Sequence, residues 1–314
     1  MNTQKPLAIS ARNLTKSYGD NDVLKGIDIA VPEGSVFSLL GPNGAGKTTT
    51  VNILTTLIPS NGGDAFVGGN HVKNDADEVR KIIGVTGQFA AVDGLLTGRE
   101  NLHLMGNLHH LGKKETRRRS EELLERFDLV DAAGRAPATY SGGMKRRLDL
   151  AMCLMGDPRI IFLDEPTTGL DPRSRRTVWE IVRELVKGGT TVFLTTQYLE
   201  EADELADRIA VLNDGKIVAE GTPAELKRTI SGGHISLRLH RADQVESAAQ
   251  ILSASGFDAD QLTVQVPSDG SVSSLRNVLD TLDREGVEVD EMSIHTPDLD
   301  DVFLALTGGD KTAA

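Results

Sequence analysis

Residues 41–48 constrain the chain more than any other stretch. They read Gly41-Pro42-Asn43-Gly44-Ala45-Gly46-Lys47-Thr48 and match G-x-x-x-x-G-K-[ST] at every specified position. Ser35-Val36-Phe37-Ser38-Leu39-Leu40 before them is an apolar, β-prone run. Thr49-Thr50-Val51-Asn52-Ile53-Leu54 after them opens a helix. Strand, glycine loop and helix in that order aim backbone N–H groups and a helix N-terminus at an anion. Gly41, Gly44 and Gly46 are expected to permit positive φ and close approach of backbone to phosphate. Lys47 would reach the outer phosphates, and the Thr48 hydroxyl would ligate magnesium. A chance glycine-rich turn would lack these flanks. The pattern by itself specifies nucleotide phosphates and nothing finer.

A chain of 314 residues, 39% of them hydrophobic, is long enough for one large domain and a small one. No apolar run approaches bilayer-spanning length, and residues 1–6 lack the apolar stretch of a secretory signal. The single cysteine, Cys153, excludes a disulfide framework and lies in an apolar helical stretch. A buried thiol is expected there, and a cytoplasmic location is the default. Net charge is −12, a poor basis for nucleic-acid binding, which draws its affinity from phosphate neutralisation. The acid is unevenly placed: residues 231–314 hold 5 Lys+Arg against 15 Asp+Glu. Composition changes at 229–233, where a domain boundary is expected, dividing the chain into 1–230 and 231–314.

Residues 7–14 and 23–31 alternate as strands, with a turn at 16–20. Tyr18 in that turn either stacks on a base or covers a sheet edge. Residues 82–88 read as a strand running into a loop. Gln88 then sits at a strand end, a usual place for ligand contacts in open α/β sheets, unless it is simply a surface glutamine. Residues 97–129 read as helical, opened by a capping box of Thr97 and Glu100. The cluster of Lys113, Lys114, Arg117, Arg118 and Arg119, followed by Glu121, Glu122 and Glu125, predicts a solvated face with i,i+4 pairs; docking of an acidic partner is the other reading.

Ser141-Gly142-Gly143 opens another helix with a serine cap and a positive end, either a second anion site or a capped helix and no more. If it lies far from Gly41, it could meet the same phosphates only from a partner subunit. Arg159-Ile160-Ile161-Phe162-Leu163-Asp164-Glu165-Pro166 is a buried-type strand ending in two carboxylates. Asp164 can hold magnesium directly or through water, and Glu165 can polarise an attacking water. Residues 190–195 form a further strand that ends at Gln197, and 209–220 a hairpin around Asn213-Asp214-Gly215. After Gly233 the pattern restarts as a small α+β unit. His234, His240 and His295 in it are scattered singly and are expected at the surface.

In this order and setting, the motifs from about residue 7 to 230 resemble the nucleotide-binding subunit of ATP-binding-cassette (ABC) transporters. The resemblance implies an α/β fold of the P-loop NTPase, ABC type, with a mixed sheet core and a helical subdomain at about 97–156. The small acidic α+β domain follows it. It also implies ATP with Mg2+ held in a homodimer, as a sandwich. Gly41, Pro42, Asn43, Gly44, Ala45, Gly46, Lys47, Thr48 and Thr49 of one subunit would face Ser141, Gly142 and Gly143 of the other. Tyr18 would stack on adenine, and Asp171 in Gly169-Leu170-Asp171 would communicate across the interface. Glu165 would be the catalytic base, assisted by Lys47, while Thr48, Asp164 and Gln88 would arrange magnesium and water. Tyr140 and Met144 stand where Leu and Gln are commonest in the signature. Gln197 stands at the switch position, where most members have histidine. Glutamine can hydrogen-bond a γ-phosphate but carries no proton at neutral pH, which leaves a positioning role.

Three local wordings resemble the daunorubicin/doxorubicin-resistance subgroup and extend the likeness over nearly the whole chain. They are Val85-Thr86-Gly87-Gln88, Leu194-Thr195-Thr196-Gln197-Tyr198-Leu199-Glu200-Glu201-Ala202-Asp203 and Leu299-Asp300-Asp301-Val302-Phe303-Leu304-Ala305-Leu306-Thr307-Gly308. In that subgroup the ATPase pairs with a separate multi-span membrane permease. The expectation is therefore a peripheral ATPase at the cytoplasmic face of the cell membrane that drives export of a hydrophobic drug, antibiotic or lipid. Two alternatives are an ATP-dependent switch with weak hydrolysis, suggested by Gln197, and a soluble non-transport ABC ATPase. The single cassette and the acidic balance disfavour the second, and the lack of an Asn-Lys-x-Asp sequence disfavours a GTPase. The acidic C-terminal unit is expected to stabilise the dimer or dock the permease.

Overall fold

Alternating apolar residues at the start of the chain form a hairpin of Leu7–Tyr18 (β1) and Asn21–Pro32 (β2). Ile9, Ala11, Leu14, Leu24, Ile27, Ile29 and Val31 all enter one core. The computed structural model describes residues 6–88, 90–229, 233–268, 271–295 and 297–307. The chain divides into two compact units, Met1–Pro223 and Ala224–Ala314. The composition change seen in the sequence falls largely on residues 230–232, and the last residue of the C-terminal wording, Gly308, follows residue 307; all of these lie outside the described residues.

The first unit continues with Val36–Leu40 (β3), Lys47–Leu54 (α1), Gly62–Val67 (β4), Asn70–His71 (β5), Ala76–Ile82 (α2) and Ile83–Thr86 (β6). Gly98–Leu108 (α3), Lys113–Arg126 (α4) and Gly142–Cys153 (α5) form its helical part. Ile160–Asp164 (β7), Pro172–Lys187 (α6), Thr191–Thr196 (β8), Leu199–Leu205 (α7), Arg208–Asn213 (β9) and Lys216–Gly221 (β10) complete it, and Pro223–Arg228 (α8) follows. The main sheet has the order β10-β9-β3-β8-β7-β6, parallel except for β10. A second, antiparallel sheet has the order β2-β1-β4-β5. The core is therefore a mixed α/β arrangement, as expected.

Side-chain alternation divides that core in two. Phe37, Leu39, Phe162 and Phe193 face the antiparallel sheet, with Val51, Ile53 and Leu54 of α1 in the same cluster. Phe37 stacks on Phe193 with ring centroids 5.5 Å apart. Val36, Ile161, Leu163, Val192 and Leu194 point to the opposite face and pack with residues of α3, α4, α5 and α6. Burial on both faces explains why the central strands read as unbroken apolar runs.

Two local expectations need correction. The first turn is shorter than 16–20, because β1 runs through Tyr18 and only Gly19 and Asp20 turn. Residues 97–129 are not one helix. His110 takes φ 55 and Gly112 caps a new helix, so the chain reverses between α3 and α4. The capping box of Thr97 and Glu100 is formed in full. Arg118 pairs with Glu115 and Glu122 at helical spacing on an exposed face.

The second unit consists of His234–Leu239 (β11), Val245–Ile251 (α9), Gly256–Asp258 (β12), Thr263–Pro267 (β13), Val272–Glu285 (α10), Val289–His295 (β14) and Leu299–Thr307 (α11). Its sheet order is β12-β13-β11-β14, all antiparallel. The histidines here are not isolated. His234 and His295 are cross-strand neighbours with ring centroids 4.9 Å apart, and His295 reaches Asp301 at 3.1 Å. His240 bonds Asp290 at 2.9 Å, and that carboxylate raises its pKa. Spacing along the chain hid these contacts, which antiparallel pairing and a following helix create.

Candidate functional site

Four parallel strands end on one edge of the main sheet. Leu40 of β3 pairs with Thr196 of β8, Thr195 with Asp164 of β7, and Leu163 with Thr86 of β6. The residues that follow these ends are Gly41, Gln197, Glu165 and, two positions on, Gln88. Topology alone thus gathers into one row residues far apart in sequence. The Gly41 N–H donates to the Thr196 carbonyl at 3.2 Å, which fastens the glycine loop to the residue before Gln197.

Within the loop, Gly44 and Gly46 have φ of 82° and 111°. Gly41 does not adopt positive φ, contrary to expectation. A Cβ there would lie 2.3 Å from the Leu212 carbonyl oxygen, so close backbone packing requires this glycine. At Gly46 a Cβ would meet Leu24 and the Val23 carbonyl, which places the β1–β2 hairpin beside the loop. Tyr18 stands exposed at the tip of that hairpin, with Lys16 Nζ 5.0 Å from its ring centroid. Thr48 is exposed and Thr49 half-buried in the first turn of α1, while Pro42 and Asn43 lie on the rim of the loop.

Lys47 folds back over the loop and donates to the carbonyls of Gly41 at 2.8 Å and Pro42 at 3.1 Å. Its Nζ also lies 3.3 Å from Glu165 Oε1. The second oxygen of Glu165 accepts from Gln88 Nε2 at 3.3 Å and from Thr168 Oγ1 at 3.4 Å. The Glu165 N–H donates to both the carbonyl and the hydroxyl of Thr195, and that hydroxyl donates to Asp164. Glu165 has φ 48, a conformation that L side chains seldom adopt and that tends to mark functional sites. Lys47, Gln88, Asp164 and Glu165 are therefore assembled at one place.

Ser141, Gly142, Gly143 and Asp171 form a separate group. Ser141 caps α5 by accepting the Met144 N–H at 3.2 Å, so its hydroxyl hydrogen remains to donate elsewhere. Asp171 caps α6 by accepting from the N–H groups of Arg173 and Ser174, and from Ser174 Oγ at 2.6 Å. The Ser174 bond is the main reason its carboxyl pKa falls below the usual range. A Cβ on Gly143 would lie 2.4 Å from Ser174 Oγ, so this glycine is where the two capped helices touch. Tyr140 is buried and donates to the Ala132 carbonyl at 2.6 Å, which gives the aromatic departure in the signature a structural role. Cys153 is buried, and desolvation pushes its thiol up to about 12, as expected for a packing residue.

Sequence reasoning missed two buried groups near the site. Arg146 and Asp149 form an ion pair within α5 at 3.0 Å. Glu201 on α7, 0% exposed, accepts from Thr167 Oγ1 at 2.8 Å and from Trp179 Nε1 at 3.1 Å. Burial raises its pKa, with the hydrogen bonds opposing. No local signal marked them: Arg146 sits in a basic run with Lys145 and Arg147, and Glu201 among Glu200, Asp203 and Glu204.

Comparison with known proteins identifies the family. Residues 24–168 match the family model for the ABC transporter, and residues 221–307 match that for the C-terminal domain of DrrA1-3-like ATP-binding proteins. The chain is 49% identical over 306 residues to the daunorubicin resistance ATP-binding protein DrrA3 of Streptomyces coeruleorubidus, covering 97% of both chains. It is 34% identical to the linearmycin resistance ATP-binding protein LnrL of Bacillus subtilis, covering 96% of this chain and 98% of that one. Among solved structures, a dimeric ATP-binding cassette in a post-hydrolysis state with ADP and Pi is similar at TM-score 0.62 and 29% identity. That match covers 68% of this chain and 98% of the other.

Proposed function

This chain belongs to the ABC transporter family of ATP-binding proteins, and we propose that it powers export of a hydrophobic drug, antibiotic or lipid through a separate membrane permease. It is an ATPase, converting ATP and water to ADP and phosphate. The observation that carries the reading is the convergence of Lys47, Gln88 and Glu165 beside the glycine loop.

In our reading the first turn of α1 and the loop amides receive the phosphates, and Lys47 exchanges its partner Glu165 for phosphate oxygens. Glu165, released from Lys47 and oriented by Gln88 and Thr168, then takes the proton of the attacking water. Gln197 holds a phosphate oxygen by hydrogen bonding without moving a proton. The donor set of the Thr48 hydroxyl, the Asp164 carboxylate and the Gln88 amide oxygen consists of hard oxygen ligands that suit Mg2+. When bound there, the ion would neutralise charge on the phosphates.

Two copies of the chain are proposed to close on two ATP molecules, with Ser141 and Gly143 of one copy facing the phosphate loop of the other. The spare Ser141 donor supports this, as does the position of Gly143 against Ser174 at the start of α6, where an added Cβ would lie 2.4 Å from Ser174 Oγ. Among the described residues no helix is long and apolar enough to cross a membrane. Attachment to the cytoplasmic face would come through the permease. The test is Glu165→Gln in the full chain with magnesium and ATP. Turnover should fall about a hundredfold or more, with an ATP-bound dimer accumulating in size-exclusion chromatography. Unchanged turnover would remove Glu165 as the base.

A further inference from the structure

The chain on either side of Gln88 is gripped from the helix that Ser141 caps. Arg146, 5% exposed, donates from Nη1 to the Gly87 carbonyl at 2.9 Å and from Nη2 to Thr86 Oγ1 at 3.1 Å. The same Nη1 donates to Asp149 Oδ2, and Asp149 Oδ1 accepts the Ala91 N–H at 3.0 Å. One side of the loop is thus held at Gly87 and the other at Ala91, and Gln88 between them touches Glu165. The adjacent Arg147 turns the other way, to the carbonyls of Phe127 and Asp128 at the end of α4. Two consecutive arginines divide α5 between the helical part of the unit and the Gln88 loop.

Fold stability alone is a weak reason for this pair. Burial lowers the pKa of Arg146 and raises that of Asp149, so both charges are held against desolvation. Well-packed apolar residues of similar volume generally serve stability as well or better. What an apolar pair cannot do is bond Gly87 and Ala91 at once. Ser141 and Arg146 lie on one rigid helix, about 8 Å apart at 1.5 Å per residue.

We propose that Arg146 and Asp149 are positioning residues, a two-ended clamp that converts a shift of the Ser141-capped helix into a shift of Gln88 against Glu165. The clamp rests on the ATPase reading above. It makes the serine corner that meets one nucleotide set the geometry of the base acting on the other.

The experiment uses the full chain with magnesium and ATP, comparing wild type with Arg146→Met/Asp149→Leu, which removes both charges and orphans neither. Turnover against ATP concentration, amide hydrogen exchange at Ala91 and melting temperature are recorded. The clamp predicts that kcat falls at least about tenfold with KM held within about threefold, as for a misplaced rather than unbound reactant. Ala91 should exchange roughly tenfold faster, with melting within a few degrees of wild type. A folded double variant with unchanged kcat, or with unchanged Ala91 exchange, overturns the clamp. Should that variant not fold, Arg146→Lys decides, because one ammonium cannot span Gly87, Thr86 and Asp149 as the guanidinium fork does. Its kcat should fall with melting preserved, and an unchanged kcat overturns the proposal. Wild type without any turnover would instead sink the ATPase reading, and Ala91 exchange would still judge the clamp.

Discussion

Lys47 Nζ and Glu165 Oε1 stand 3.3 Å apart, with the two side chains only 4% and 7% exposed. The residue that would bind phosphate and the residue that would activate water thus neutralise one another. Each also keeps a second attachment, Lys47 to the loop carbonyls and Glu165 to Gln88 and Thr168.

Removing one member of this pair should therefore cost more than removing both. Lys47→Ala leaves a buried carboxylate without its charge partner and should destabilise the chain by about 3 kcal/mol. Lys47→Ala/Glu165→Gln should recover most of that, with turnover lost in both. Urea unfolding of the two variants checks this, and equal or larger destabilisation in the double variant would contradict it.

Gly143→Ala forces a methyl group against Ser174 Oγ and disturbs the Ser174–Asp171 bond. Overpacking here should cost about 1–3 kcal/mol and reduce ATP turnover, because the serine corner moves. Gly143→Ala/Ser174→Gly restores the space and should return part of the lost stability, as a thermal melt would show.

Glu201 gives a pH signature. Its native pKa is raised by burial, while an unfolded glutamate titrates near ~4.3. Below that value both states are protonated and no ionisation penalty exists. As pH rises the unfolded chain releases its proton first, so stability declines until the raised native pKa is passed. Glu201→Gln lacks this step. Its melting temperature should therefore fall less than that of wild type as pH rises from about 4, and parallel curves would refute the assignment.

At Gln197 the two enzymatic readings part. For an export ATPase that works with a positioning glutamine, Gln197→His should change kcat by less than about threefold. A rise of roughly tenfold or more would favour the ATP-dependent switch with weak hydrolysis.

The parts of the site carried by contiguous sequence were the legible ones. The loop 41–48, the serine cap at 141 and the strand ending in Asp164 depend on local backbone geometry, and local spacing reveals them. The sheet edge that collects Gln88, Glu165 and Gln197 followed from apolar runs ending at those residues. What stayed hidden arises between elements. Arg146 stands as one cation in a basic stretch until Thr86 and Gly87 come to meet it, and Glu201 as one of several acids along its helix. The break at His110 was hidden too, since a non-glycine residue there takes φ 55 against its own preference. Gly41 was read for its conformation, when Leu212, far along the chain, dictates it.

Trp179 is the only tryptophan in the chain, and its indole bonds the same Glu201 oxygen that holds Thr167, two residues past Glu165. The helix that carries it begins at the Asp171 cap. The molecule therefore contains its own optical probe: ultraviolet emission from one known ring will track the loop after Glu165 in stopped-flow mixing, without any dye or label.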